Sequence, residues 1–260
     1  MTPCKKLELL VCSCDKYADV WPVFFALFFK YWNDCPHQIN LIANELKYDD
    51  PRVTTIKTNS KLDWSSAFCE ALEKVRAPYA LVVMEDYLLT RNVETSRFAE
   101  LIEHMEKHSI DCLHVYPEPI FTPANQHAAG YKLGDVLPGT PYRVNLQAAI
   151  WNTAFLKQLV KRGENAWEFE VFGSRRSNNL QGKFSTVVCK PEDAPFPYYC
   201  TGVVRGKWMP GAVRLCKKEG IHIDFSKRKI GWVRGMFREW PVLQPVRHAF
   251  VACKRLMGKH

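Results

Sequence analysis

The sequence predicts an α/β protein with a mainly parallel, Rossmann-type sheet flanked by helices and a basic helical tail at its C-terminus. Three observations predict it. Short apolar runs alternate with helix-like segments through the first 130 residues, the rhythm of strands buried on both faces of a parallel sheet. At 260 residues, with 47% hydrophobic and 24% charged residues, the chain can bury a large core and is not disordered. The net charge of +9 is unevenly placed: residues 201–260 hold 14 Lys/Arg against 3 Asp/Glu, and residues 1–200 hold 22 against 24. A neutral body with a basic appendage points to a surface-binding tail, with anionic lipid or nucleic acid as its partner.

Taken in order, Leu7–Cys12 (LELLVC) is a continuous apolar run and predicts the first strand, ended by Ser13-Cys14-Asp15. Asp19 is placed to cap a helix reaching about Trp32, with Pro22 in its first turn, where proline is tolerated. Gln38–Ala43 and Val53–Lys57 predict two more strands. Asp63 caps a helix over Trp64–Val75, whose Ala67, Phe68, Ala71, Leu72 and Val75 recur at helical spacing. Tyr79–Met84 (YALVVM) predicts the fourth strand and runs straight into Glu85-Asp86-Tyr87. A helix over Val93–His108 and a strand over Cys112–Tyr116 follow. Residues 117–141, rich in Pro, Gly and Asn, predict a long loop, and such loops in compact domains are usually functional. Tyr142–Trp151 predicts a strand, Thr153–Arg162 a short helix and Phe184–Cys189 another strand. Residues 191–211 predict a second loop, and Ile221–Phe225 a last short strand.

The chain divides into a domain over 1–230 and a tail over 231–260. From Pro245 a helix would place Val246, Phe250, Cys253 and Met257 on one face, flanked by Arg247, Lys254, Arg255 and Lys259. That pattern fits a helix docked on the domain or an amphipathic segment lying on an anionic membrane. Ten cysteines without a CxxC pair exclude zinc-ribbon and thioredoxin-like patterns. Cys12, Cys69 and Cys112 lie in apolar runs, so reduced core thiols in a cytosolic protein are expected. No long apolar stretch precedes Asp15, and a signal peptide is not expected. The most apolar window, Val20–Trp32, is too short for a ~30 Å hydrocarbon layer. GxGxxG, GxxxxGK[ST] and GxSxG are all missing, which disfavours Rossmann dehydrogenases, P-loop enzymes and α/β-hydrolases.

Four constellations could carry chemistry. Glu85-Asp86 directly follows an apolar strand, where ligands of open α/β sheets bind, and two carboxylates there suit a divalent cation bridging phosphates. Ser13 and Asp15 end the first strand, and Asp15 could accept hydrogen bonds from a ribose or base. Trp167-Glu168-Phe169-Glu170 sets two carboxylates around an aromatic. They would share a face in a strand and diverge in a helix start, and desolvation beside Trp and Phe would suit a general base. His222 and Asp224 would share a face of the last strand, where His222 could join a metal–diphosphate site. Arg175, Arg176, Arg205 and Lys207 are candidate partners of diphosphate oxygens.

The order of these motifs is what carries a resemblance. Ser13-Cys14-Asp15, the helix start Asp63-Trp64-Ser65-Ser66, Glu85-Asp86-Tyr87, Tyr142–Gln147, Ala149-Ile150-Trp151 and Trp167–Glu170 together resemble GT-A-fold glycosyltransferases, in particular small bacterial ones that build lipopolysaccharide or capsule. The similarity covers about residues 7–225. It implies a nucleotide-sugar donor at the carboxyl ends of the first strands, contacted by Ser13, Asp15, Trp64 and Glu85. It implies Asp86 as ligand to Mn²⁺ or Mg²⁺, with His222 completing the metal site, and Glu168 or Glu170 as the base of an inverting transfer. Glu-Asp-Tyr stands where the family's clearest form is Asp-x-Asp. The implied acceptor is a hydroxyl of a cell-surface glycan or lipid-linked precursor. The implied place is the cytoplasm, peripheral to the inner face of the plasma membrane, with the tail on anionic lipid and no nucleic acid as partner. The competing readings are a sugar-phosphate nucleotidyltransferase, which would want a Gly-rich basic loop after the first strand, and a non-enzymatic module binding nucleic acid through the tail.

Overall fold

A computed structural model of the protein describes residues 6–118, 120–123 and 126–231. Four parallel strands form its first half: β1 (Leu7–Cys12), β2 (Gln38–Ala43), β3 (Val53–Lys57) and β4 (Tyr79–Met84), side by side in the order β3-β2-β1-β4. Every residue of β1 is buried. Its side chains alternate between two cores: Leu7, Leu9 and Val11 face one, Leu10 and Cys12 the other. The first core is closed by helices α1 (Trp21–Tyr31) and α3 (Thr95–His108), through Phe24, Phe28 and Phe98. The second is closed by α2 (Trp64–Leu72), α4 (Thr153–Leu159) and α5 (Ala166–Asn179), through Phe68, Leu156 and Phe169. This is the predicted architecture, a sheet covered by helices on both faces.

The sheet continues past β4 with β9 (Ala149–Asn152), β6 (Cys112–His114), β10 (Phe184–Val188), β8 (Tyr131–Asp135) and β7 (Gln126–Ala128). Both β4 and β6 pair antiparallel with β9, and β6 pairs parallel with β10. One strand of reversed direction is thus inserted between the parallel strands β4 and β6, and β8 and β7 add an antiparallel hairpin at the far edge. Its first residue, Ala149, lies opposite Val82 near the carboxyl end of β4. The chain before β9 is delivered to the rim where β1 and β4 end.

Several elements differ from the sequence-based expectation. Residues 117–141 contain the β7–β8 hairpin, turned at Ala129-Gly130, where both residues have positive φ (52° and 78°). Residues 142–148 are turn and coil, with only β9 extended. Ile221–Phe225 is coil, not strand, because α6 (Pro210–Lys218) ends just before it and no neighbouring strand pairs with it. Residues 191–211 carry the short strands β11 (Tyr198–Tyr199), β12 (Val203–Val204) and β13 (Lys207–Trp208), and β11 pairs with β5 (Leu88–Leu89). Asp19 does not cap α1, whose N-cap is Val20. Asp63 does cap α2: its carboxylate accepts from the Ser66 N–H and hydroxyl and the Ser65 hydroxyl, and against partial desolvation these donors hold it at about 2. The predicted helix from Pro245 lies outside the described residues. Among the described residues no helix is long and apolar enough to cross a membrane.

Candidate functional site

Parallel pairing of β1 with β4 sets Cys12 beside Met84, so Ser13-Cys14-Asp15 and Glu85-Asp86 leave the sheet at the same rim. Both acidic side chains are buried, Glu85 at 4% and Asp86 at 8% exposure. Asp86 Oδ2 accepts the Val203 N–H at 3.0 Å, and its carbonyl accepts the Gly202 N–H at 3.0 Å. Glu85 Oε2 has no hydrogen-bond partner among the described residues. Burial pushes Asp86 up to about 6, against the pull of those N–H donors. Burial, then the neighbouring Asp86 charge, pushes Glu85 well above the usual carboxylate range. A buried carboxylate oxygen without a donor is unfavourable unless something satisfies it.

The rim is closed by the C-terminal segment. β12 and β13 form a hairpin whose tip, Arg205-Gly206, has positive φ at both residues (50° and 72°). Residues 229–231 run alongside: Trp208 N–H donates to Lys229 O at 3.0 Å, and Gly231 N–H to Trp208 O at 2.9 Å. This places Arg228 under the hairpin and over the end of β1. Its guanidinium makes two bonds of 3.0 Å to Asp19, one of 3.1 Å to Lys16 O, and lies 4.7 Å from the Tyr17 ring centre. Its charge opposes the rise of the Glu85 and Asp86 pKa values. Arg228 was not singled out from the sequence, because it sits inside the Lys227-Arg228-Lys229 charge run and looks like part of the tail.

The other expected donor-side residues fall as follows. Asp15 accepts the N–H groups of Asn44, Glu45 and Leu46 at 2.8, 2.8 and 3.1 Å, which outweigh its desolvation and hold it below the usual range. It fixes the loop after β2. Ser13 Oγ accepts the Trp21 indole N–H at 2.7 Å. Trp64, at the start of α2, is partly buried, stacks on Phe68 at 5.1 Å and meets the Phe169 ring tilted at 5.4 Å. Arg205 and Lys207 are exposed on the hairpin next to Asp86. Arg176 is committed to Glu164 and to Leu159 O, tying α5 to α4, and Arg175 is exposed over Phe172. His222 is exposed on coil.

Glu168 and Glu170 both lie in the first turns of α5 and diverge, the helical alternative of the two considered. Glu168 accepts the Asn165 N–H at 2.9 Å while Asn165 Oδ1 accepts the Glu168 N–H at 3.0 Å, a capping box. Glu170 points the other way. Its Oε1 accepts the Leu146 N–H at 2.9 Å, and its partial burial pushes the carboxyl up to about 7. The Leu146 carbonyl accepts the Tyr87 hydroxyl at 3.0 Å. One residue of the segment before β9 therefore links Glu170 to the turn that carries Glu85 and Asp86.

Among the described residues no three His, Cys, Asp or Glu side chains gather to hold a metal ion. The Glu85-Asp86 pair fits a hard cation only as a partial ligand set, completed by phosphate oxygens and water, with the unpartnered Glu85 Oε2 as an available donor atom.

No protein-family description and no curated protein matches the sequence. Among solved structures, S. aureus TarS (1–349) is similar with a TM-score of 0.46 and 13% identity over 72% of this chain and 61% of that one. The same TarS fragment in complex with UDP-GlcNAc gives 0.45 and 14%, over 70% and 55%. The bifunctional IspDF of Campylobacter jejuni gives 0.42 and 14%, over 74% and 52%. The chain thus spans 61% and 52% of the lengths of TarS (1–349) and IspDF. The 2-C-methyl-D-erythritol 4-phosphate cytidylyltransferase of Thermus thermophilus gives 0.44 and 9%, over 82% and 98%. These are likenesses of chain path alone.

Proposed function

We propose that the protein is a glycosyltransferase that moves a sugar from a nucleotide-sugar to an acceptor hydroxyl, with inversion and with help from a divalent cation. The observation that carries this reading is the buried Glu85-Asp86 pair at the carboxyl ends of β1 and β4, with one unsatisfied carboxylate oxygen and a buried arginine beside it. A diphosphate leaving group needs positive charge where its own charge develops. Asp86 and Glu85 would hold the cation, Mn²⁺ or Mg²⁺, that supplies part of it. Arg205 and Lys207, exposed on the neighbouring hairpin, would face phosphate oxygens.

Glu170 takes the role of base. A carboxyl held near 7 by burial is matched to removing a proton from a hydroxyl at neutral pH. Glu168 is engaged in starting α5 and serves structure. His222 has no part in this reading. The acceptor is taken to be a glycan or lipid-linked hydroxyl, reached from the cytoplasmic face of a membrane that the basic tail would contact.

The test is a thermal-shift panel of nucleotides and nucleotide-sugars, each with and without Mn²⁺ or Mg²⁺, since a ligand bound only by the folded state raises Tm. A cation-dependent shift with nucleoside diphosphates or their sugars, followed by nucleoside diphosphate release with an acceptor, is the expected result. Pyrophosphate release from a nucleoside triphosphate and a sugar phosphate would instead assign nucleotidyl transfer. No shift with any nucleotide would overturn both.

A further inference from the structure

The region behind Glu170 holds a second carboxyl that the proposed reaction does not use. Glu118 follows β6, and 11% of its side chain is exposed. Its backbone N–H donates to Thr186 Oγ1 at 3.1 Å, which ties it to β10. Its Oε1 accepts from Asn145 Nδ2 at 2.8 Å. Asn145 is itself buried, and its amide organises the whole turn before β9. Its Nδ2 also donates to Tyr142 O at 3.0 Å, and its Oδ1 accepts the Gln147 N–H at 2.9 Å. The residue between them, Leu146, is the one whose N–H holds Glu170. The same turn is fastened to α5 from below, where Val144 N–H donates to the Ser174 hydroxyl oxygen at 3.0 Å and that oxygen lies 2.6 Å from Glu170 O.

We propose that Glu118 is the positioning residue of Glu170: through Asn145 it fixes the turn of residues 142–147, so that the Leu146 N–H meets the Glu170 carboxylate. The inference deepens the proposed function by naming what sets its base, but the Glu118–Glu170 linkage is testable without any turnover. The asparagine amide suits the task. It has two N–H donors and one acceptor, and here they meet two carbonyl-type oxygens and one backbone N–H. Glu118 supplies the one partner that is not part of the turn.

The two carboxyls also sense each other. Burial pushes Glu118 up to about 7, and the Glu170 charge adds to the rise. Ionising Glu170 therefore hinders ionising Glu118. The groups facing the pair are His114 and Cys112 of β6, Tyr116, Tyr87 and Cys200. Burial lowers His114 to about 4, so it is neutral, and its Nδ1 lies 3.4 Å from Glu118 Oε1 with its Nε2 3.2 Å from Arg143 O. With Nε2 donating to that carbonyl, Nδ1 presents its lone pair and has no hydrogen-bond partner among the described residues. The thiols and phenols are pushed up by burial and stay protonated. Arg143 is the nearby cation, and its guanidinium is taken by Val136 O, Ser177 and Gly182 O.

The experiment is ¹³C NMR titration of glutamate carboxyls in the full-length protein, with Glu170→Gln and Glu118→Gln used to assign the two signals. Leu146 amide exchange is followed in parallel. In the unaltered protein the two carboxyls should titrate together in overlapping steps around neutral pH. Glu118→Gln keeps an acceptor for Asn145 and removes the charge. It should leave Leu146 protected and turn Glu170 into a single step at lower pH. Glu118→Ala should lose the protection of the Leu146 amide by about tenfold or more, and Asn145→Ala should reproduce that loss. Should Glu118→Ala fail to fold, Asn145→Ala and Glu118→Gln carry the test. An unchanged Glu170 titration in Glu118→Gln, or an unchanged Leu146 amide in the alanine variants, overturns the proposal. Loss of transfer in Glu170→Gln alongside an unaffected titration would leave the glycosyltransferase reading standing without it.

Discussion

Arg228 is the residue on which the C-terminal segment depends. Its side chain is 6% exposed and that of Asp19 is 12% exposed. The two bonds of 3.0 Å make a parallel fork, so both charges are desolvated and each satisfies the other. Arg228→Met keeps much of the stem volume and removes the charge. Asp19 is then left buried with two unmet oxygens, facing the same rim as Glu85 and Asp86. Breaking a buried pair from one side costs about 3–5 kcal/mol. For a domain of this size that lowers Tm by roughly 6–20 °C, at about 2–4 °C per kcal/mol. Arg228→Lys keeps a positive charge but cannot make the fork, so it should recover only part of the loss. The assay is urea unfolding of the unaltered protein, Arg228→Met, Asp19→Asn and the double variant. Their cycle should give a coupling of at least about 1.5 kcal/mol, because neutralising Asp19 removes the orphaned charge. A cost under about 1 kcal/mol for Arg228→Met, or strictly additive costs in the double variant, would refute the reasoning.

Four further outcomes are expected. Asp86→Asn still offers an oxygen to the Val203 N–H, so it should fold with its Tm within about 2 °C while losing the cation-dependent nucleotide shift; a retained shift would remove Asp86 from the site. Glu170→Gln should lower transfer by about 10²-fold or more, whereas Glu168→Gln, which preserves the capping box, should keep most of it. Because burial raises Glu170 to about 7 in the folded state, above its unfolded value, stability falls as pH rises between the two. Glu170→Gln should therefore be more stable relative to the unaltered protein at pH 8 than at pH 5, measured by urea unfolding at both. Finally, a Cβ at Gly134 in β8 would stand 2.7 Å from Thr122 O and from the Phe121 ring. Gly134→Ala should cost about 1–3 kcal/mol, and an unaffected midpoint would show that the β7–β8 edge yields freely.

The first half of the fold was readable because its signals are local. LELLVC and YALVVM are continuous apolar runs, and Asp63 followed by two serines is a helix start that the structure reproduces atom by atom. The acidic rim was readable for the same reason, since Glu85-Asp86 abuts its strand. The misplaced elements depended on partners distant in sequence. Ile221–Phe225 alternates like a strand but finds no edge to join. The Ala129-Gly130 turn needs a left-handed alanine, which composition does not announce. Asp19 looks like a helix cap and is instead held by a residue 209 positions away. Glu118 lies between two prolines in what resembled an unremarkable loop, and only burial against β6 and Asn145 gives it a perturbed carboxyl. Tyr142–Trp151 was apolar enough for a strand, but a buried polar side chain, Asn145, bends its first half into a turn.

The reversed β9 has a consequence for how such a rim can diversify. Strands that all point one way bring only their trailing loops to the rim, and those loops here carry the acidic pair and the bend after β1. A strand run backwards offers its leading loop instead, which adds an independently variable edge. Exchanges among residues 142–148, which lead into β9 and carry the Leu146 N–H that Glu170 accepts, would reshape the side of the rim next to Glu170 while the pairings of β1, β4 and β9 keep their register. The acidic side of the rim and the side next to Glu170 are thus built on chain segments free to vary separately.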